Sequence, residues 1–220
     1  MEVETQSGKR KELSDETARL LSTSAGLPLH CVASPFVSLE VKNIITFSLL
    51  ACIHSWRGKH FWGVSCGDVN VCSLSRPAGR SEGGQGLTAV LSSSEKGLVK
   101  DSLTSLCGPD KLMYASGAGY KILCVIQGLA DVYVLSEGST FKWDSCAPHA
   151  LLRALGGGVV DLTKSLQSNS GAQDHQMELT YHQPYAECKG ADRWANHGGL
   201  VAYRDSSQLR SILGALKGKL

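Results

Sequence analysis

A chain of 220 residues, 42% hydrophobic and 19% charged, is long enough for one sizeable core or two small ones and reads as globular. Its net charge of +2 offers no electrostatic footprint for nucleic acid. The 8 cysteines, at 31, 52, 66, 72, 107, 124, 146 and 188, include no C-x-x-C pair, so the usual zinc-site spacing is missing. The polar opening MEVETQSGKRKELSDE reads as no secretory leader, and reduced cytoplasmic thiols are expected.

In chain order, Lys9-Arg10-Lys11 is a short basic cluster expected on a solvated terminus, and residues 14–21 could form a short helix. The run VKNIITFSLLACI, 41–53, is the most apolar stretch but falls short of the ~20 residues that span a bilayer. A buried strand or helix is expected there, and no membrane anchor. Residues 75–86 (SRPAGRSEGGQG) read as a flexible linker or hairpin loop.

Beyond this point strand and helix patterns alternate. Residues 87–91 predict a strand. Ser92–Ser94 offer an N-cap, and Val99, Leu103 and Leu106 give a helical stripe. A brief strand is expected at 113–115, then a turn at 117–119 into an apolar helix over 120–129, where Cys124 packs as a small hydrophobe. Residues 131–135 are β-branched and aromatic, as in a buried strand. A strand at 159–162, a polar loop at 167–176, a last strand at 200–203 and a helix at 207–216 complete the chain. This β-α-β-α-β-α-β order predicts an α/β layered domain, with ligands beyond the carboxyl ends of the strands. Ser94, Lys96, Lys121 and Asp144 all fall at helix starts, which points to a phosphate site.

The most informative stretch is FKWDSCAPHALLRALGGG, 141–158. It sets Asp144 where a loop enters a helix, with Pro148 expected in the first turn and Gly156–Gly158 as a left-handed stop. Ala147, Ala150, Leu151, Ala154 and Leu155 recur at helical spacing on one buried face. An acid in that place can cap the helix or hold a metal ion. Trp143 and Trp194 are expected to pack, Trp143 pinning the loop that presents Asp144, and His149 reads as a core or surface histidine.

W-D-x-C-A-P followed by a small-residue helix and Gly-Gly resembles the C-terminal signature of the magnesium-dependent, lithium-sensitive phosphomonoesterases. SSSEKGLVKDSL (92–103), ASGAGYKILCVIQGLADVYV (115–134) and GADRWANHGGLVAYR (190–204) narrow the match to the inositol polyphosphate 1-phosphatase branch of that family. The resemblance runs from residue 26 to the C-terminus. GLPLHCVASPFVS (26–38) and WRGKHFWG (56–63) are similar to the strand and hairpin of the family's first-sheet region, separated by an insertion at 39–55. Three parts follow: 1–25 unmatched, 26–86 a remnant of the first-sheet region, and 87–220 a substrate- and metal-binding domain. The fold implied is the C-terminal part of a layered α-β-α-β-α sugar-phosphatase architecture.

By position the resemblance makes Asp144 a metal ligand, with Lys142 a charge nearby. It makes Ser94 and Lys96 contacts to a phosphate or inositol hydroxyl, and Gly117 and Ala118 backbone contacts to substrate. Lys121 would bind a second phosphate, and Ser139 stands where the family usually has Thr. It implies Mg²⁺ as cofactor, Li⁺ as inhibitor, an inositol polyphosphate substrate, no nucleic-acid or membrane partner, and a monomer or dimer in the cytoplasm. Paired metal ions would activate water and clamp the phosphate oxygens.

The chain has no Glu-Glu pair and no Asp-Pro dipeptide, so the family's other acidic motifs are missing; Asp68 and Glu82 lie in loop-like sequence. The expectation is a truncated, impaired member of the family. The alternatives are a catalytically inactive fragment or partial gene product, and a relative of the 3′(2′),5′-bisphosphate nucleotidases.

Overall fold

The computed structural model describes residues 86–168, 177–181 and 183–220 throughout, and before them the strands below, together with the side chains of 61, 63, 65 and 70–74. The regions 14–21, 26–37, 55–59, 75–85 and 169–176, with Asp68 and Glu82, lie outside the described residues. Two antiparallel pairs come first, β1 (Glu2–Glu4) with β2 (Arg10–Glu12) and β3 (Ser38–Val41) with β4 (Ile44–Phe47). The strands β5 (Leu49–His54), β6 (His60–Cys66) and β7 (Val69–Cys72) then form an antiparallel sheet. The described residues of the apolar run 41–53 are therefore strand, and among the described residues no helix is long and apolar enough to cross a membrane.

The α/β part follows the expected alternation: β8 (Ala89–Leu91), α1 (Gly97–Cys107), β9 (Leu112–Tyr114), α2 (Ala118–Ile126), β10 (Val132–Leu135), α3 (Lys142–Ala154), β11 (Gly158–Asp161), α4 (Leu162–Gln167), β12 (Leu200–Tyr203) and α5 (Ser206–Leu216). The five strands order as β11-β12-β10-β8-β9. β8 runs parallel to β9 and β10, and β12 is antiparallel to both β10 and β11. Hence β8, β9, β10 and β11 all point one way, and each delivers its carboxyl end to the same edge.

The period-two alternation of strands builds two cores. Val90, Tyr133, Leu135, Val159, Leu200 and Ala202 face α2 and α3, whereas Ala89, Leu91, Val132, Val134, Val160 and Val201 face α1 and α5. Helix α3 has a second neighbour in the β5–β7 sheet, where a Cβ on Gly63 of β6 would lie 2.9 Å from the Leu151 side chain. The order of layers is helix, sheet, helix, sheet. Leu151 is fully buried, so truncation to Ala would cost about 2–5 kcal/mol.

Several local expectations are corrected. In α1 the buried stripe is Val99, Leu103 and Cys107; Leu106 is 38% exposed, because the i+4 step to 107 stays on the core face. The helix is entered through Lys96, not a serine, while the Ser92 and Ser94 hydroxyls bond each other at 2.9 Å. Because α3 begins at Lys142, Pro148 sits in its interior and offers no N–H to the carbonyl of Asp144, four residues back. Of the glycines that end α3, Gly156 alone has positive φ, at 86°. Gly157 is needed for space instead: a Cβ there would meet the Tyr203 carbonyl at 2.2 Å.

Candidate functional site

Three strand-to-helix connections meet at the common edge and enclose a cavity of about 170 Å³. The first, after β8, contributes Ser92, Ser94 and Glu95. The second, after β9, brings Ala118 and Lys121 from the first turns of α2. The third, after β10, adds Glu137, Ser139 and Thr140, with Tyr133 and Leu135 of the strand itself behind them. This is the crevice that the parallel arrangement predicts.

Four of the expected substrate residues, Ser94, Ala118, Lys121 and Ser139, thus line one cavity. The other two lie at its margin. Lys96 is exposed at the start of α1, and Gly117, with φ 81°, is the residue from which α2 starts.

Lys121 is 4% exposed. Its ammonium donates to the Ala115 carbonyl at 3.4 Å and lies 5.0 Å from the centre of the Tyr133 ring. Burial lowers its pKa, and the negative charge of Glu95 works in the opposite direction. Glu95 is the residue that sequence reasoning missed. Its Oε1 accepts from the Lys96 N–H at 2.9 Å and from the Ser136 hydroxyl, and its Oε2 accepts from the Ser136 N–H at 3.1 Å. One buried carboxylate thereby ties the first connection to the third. The available signal was an acid set between a serine and a lysine just ahead of a helix.

Asp144 does two things at once. Its Oδ2 accepts from the Phe141 N–H at 2.8 Å, the reach-back half of a capping box, although Phe141 has no side-chain oxygen to supply the other half. Its charge also reaches Tyr133: burial raises the pKa of that phenol, and the charges of Glu95 and then Asp144 push it the same way. The Tyr133 hydroxyl is buried without a hydrogen-bond partner. Trp143 is 48% exposed and stacks on Phe141 at 4.6 Å, so it covers the loop instead of joining the core. Trp194 is half-buried, its ring 6.0 Å from the Lys142 ammonium. The Lys142 ammonium donates to the Gln183 carbonyl and lies 5.0 Å from the Tyr185 ring centre.

Behind the cavity runs a buried polar network. His149, 1% exposed, meets the Tyr181 hydroxyl through Nδ1 at 2.9 Å. Tyr181 bonds Ser145, and Asn196 Nδ2 donates to Ser145 Oγ at 3.4 Å and to Thr140 Oγ1 at 3.1 Å. The Asn196 N–H also donates to the Thr140 carbonyl at 2.8 Å. His149 is a core histidine, and burial followed by the Arg153 charge drives its pKa down to about 3.

The donor set does not fit a paired magnesium centre. Mg²⁺ is held by hard oxygen ligands, several of them carboxylate. Among the described residues, three His, Cys, Asp or Glu side chains come together at one place, Cys188, Asp192 and His197, and Asp144 is not among them. Five cysteines of the described residues, 72, 107, 124, 146 and 188, carry free thiols.

Comparison with known proteins finds relatives along most of the chain. Inositol polyphosphate 1-phosphatase of Homo sapiens is 41% identical over 206 residues, which cover 87% of this chain and 49% of that protein. The 3′(2′),5′-bisphosphate nucleotidase 1 of Dictyostelium discoideum is 35% identical over 106 residues, 48% of this chain and 34% of that one. The chain spans about half the length of the curated inositol polyphosphate 1-phosphatases it matches. Among solved structures, a staphylococcal IMPase-I complexed with products superposes with a TM-score of 0.52 at 10% identity, over 79% of this chain and 59% of that one, a likeness of fold. The model of the inositol monophosphatase family matches residues 31–209, and the chain belongs to that family.

Proposed function

We propose that this chain carries the substrate-binding part of a phosphoric monoester hydrolase of the inositol polyphosphate 1-phosphatase type, acting on the 1-phosphate of inositol 1,4-bisphosphate and inositol 1,3,4-trisphosphate. The observation that carries the reading is the buried Lys121 ammonium in a polar cavity at the head of α2. Glu95 and the Ala115 carbonyl answer that cation inside the protein, and the cavity in front of it, with the free N–H groups that open α2, favours a further anion. In this reading residues 87–220 are the binding unit and 26–86 the remnant of the first-sheet region.

Lys121 holds one phosphate through charge. The backbone at Gly117 and Ala118 approaches it, and the Ser94 and Ser139 hydroxyls orient the inositol ring or a second phosphate. Lys96, solvated at the margin, attracts the anion and adds less. Glu95 keeps the first and third connections at a fixed separation. Asp144 is the carboxylate that the family's Mg²⁺, with Li⁺ as inhibitor, would use. Among the described residues Asp144 belongs to no cluster of three ligating side chains that could hold such an ion. The free thiols fit a cytoplasmic protein.

The test is calorimetric binding of inositol 1,4-bisphosphate and of adenosine 3′,5′-bisphosphate, paired with phosphate release in Mg²⁺. The expected result is binding of the inositol ligand that weakens some thirtyfold in Lys121→Met, with slow turnover or none. Tighter binding of the nucleotide overturns the substrate assignment. Mg²⁺-dependent turnover that vanishes in Asp144→Asn overturns the impairment.

A further inference from the structure

Cys188, Asp192 and His197 are not used by the phosphate cavity, yet one ligand atom from each lies within 4.8 Å of the other two. His197 Nε2 stands 3.6 Å from Cys188 Sγ and 3.7 Å from Asp192 Oδ1. With metal–ligand lengths of about 2.0 Å to N, 2.1 Å to O and 2.3 Å to S, tetrahedral angles set N and S about 3.5 Å apart and N and O about 3.4 Å apart. The observed separations already match those edges to within a few tenths of an ångström.

The scaffold beneath the three side chains is fixed. Asp192 lies in a 3₁₀ turn, Gly190–Trp194, whose exit is held by the Ala195 N–H on the Asp192 carbonyl at 3.1 Å. Cys188 is held by its N–H on the Tyr185 carbonyl, and Tyr185 in turn by its N–H on Arg193. The Tyr185 ring meets the His197 ring edge-on, with centroids 4.9 Å apart. All three ligands reach solvent, which leaves a fourth position for water. Without an ion, His197 Nε2 donates to the Asp192 carbonyl at 3.0 Å, a bond that a metal would replace.

We propose that Cys188, Asp192 and His197 form a binding site for one zinc-class divalent ion, with three protein ligands and an open fourth position. A thiolate and an imidazole select such an ion over Mg²⁺, which demands an oxygen shell. The site is separate from Asp144 and independent of the phosphatase reading. Its occupancy would brace the cavity from behind: a Cβ on Gly138 would lie 3.0 Å from His197 Cα, so the connection bearing Ser139 rests on the backbone of a ligand. The ligand spacing, Cys-x3-Asp-x4-His, resembles no C-x-x-C pattern, and folding is what assembles it.

The experiment titrates the full chain with Co²⁺ as a spectroscopic stand-in, followed by Zn²⁺. The expected result is one Co²⁺ per chain with intense tetrahedral d–d bands and a thiolate charge-transfer band, all abolished by Zn²⁺. Cys188→Ala should remove the charge-transfer band. His197→Ala and Asp192→Asn should each weaken binding at least tenfold, and Asp144→Asn should leave it unchanged. In the unaltered chain Zn²⁺ should slow alkylation of Cys188 at least tenfold, read by peptide mass spectrometry, which requires no variant to fold. Unchanged spectra in Cys188→Ala, alkylation of Cys188 indifferent to Zn²⁺, or no Co²⁺ binding by the unaltered chain overturns the site.

Discussion

The front of the cavity and the network behind it solve the same problem, burying polar groups, in opposite ways. At the front, Glu95 and Lys121 are charged, and backbone groups answer them: Ser136 and Lys96 N–H for the acid, the Ala115 carbonyl for the base. Behind, His149, Tyr181, Ser145, Asn196 and Thr140 answer one another, and two of their atoms, His149 Nε2 and Asn196 Oδ1, have no partner. The front keeps charge available to a ligand, while the back converts polar side chains into packing. Substitutions at the front should therefore move binding, and those behind should move stability.

The largest effect expected from this contrast is on stability against pH. His149 stays neutral in the fold, with a pKa pushed down to about 3, while the unfolded chain takes up that proton below about 6.5. Stability is then complete above pH 6.5 and falls as pH drops toward 3, by about 1.4 kcal/mol for each unit. Unfolding free energies from urea melts at pH 7.0 and 4.5 should differ by about 3 kcal/mol, and His149→Gln should flatten that slope. A slope unchanged in the variant would break the contrast.

Next comes Asn196→Ala, which strips partners from both Thr140 and Ser145 and should cost about 2 kcal/mol in a denaturant melt. Lys121→Met keeps the stem and removes the charge. It should weaken phosphate binding by about 2 kcal/mol in calorimetry, some thirtyfold, yet leave the melt unchanged or slightly raised. Because burial lowers the Lys121 pKa, binding should also decline at an alkaline pH below the ordinary lysine range. Smallest is Ser139→Ala at the exposed rim, about 1 kcal/mol or less in affinity with no shift in the melt.

How much of this was legible beforehand depends on sequence distance. The alternation of strands and helices, the buried face of α3 and the polar helix starts at Ser94 and Lys121 could be read from short segments, whereas Ala118 and Ser139, which line the same cavity, rested on the family resemblance. Pro148 was misplaced because the helix begins at Lys142, ahead of the acid that resembled a cap. Glu95 was missed because its role is a contact across 41 residues to Ser136. Cys188, Asp192 and His197 obey no spacing rule; a 3₁₀ turn and the return toward β12 bring them together.

The place of β12 in the sheet sets an order of events. This strand lies between β10 and β11, bonded to both, yet it begins at residue 200. Until it arrives, β10 has a neighbour on one side alone and β11 has no place in the sheet. A nascent chain would thus hold the three cavity connections on a half-finished platform until residues 200–203 emerged. Late, long-range closure of this kind slows folding and leaves strand edges open meanwhile. Ending these 220 residues at 198 would remove only a tenth of them yet abolish the strand that joins β11 to the sheet.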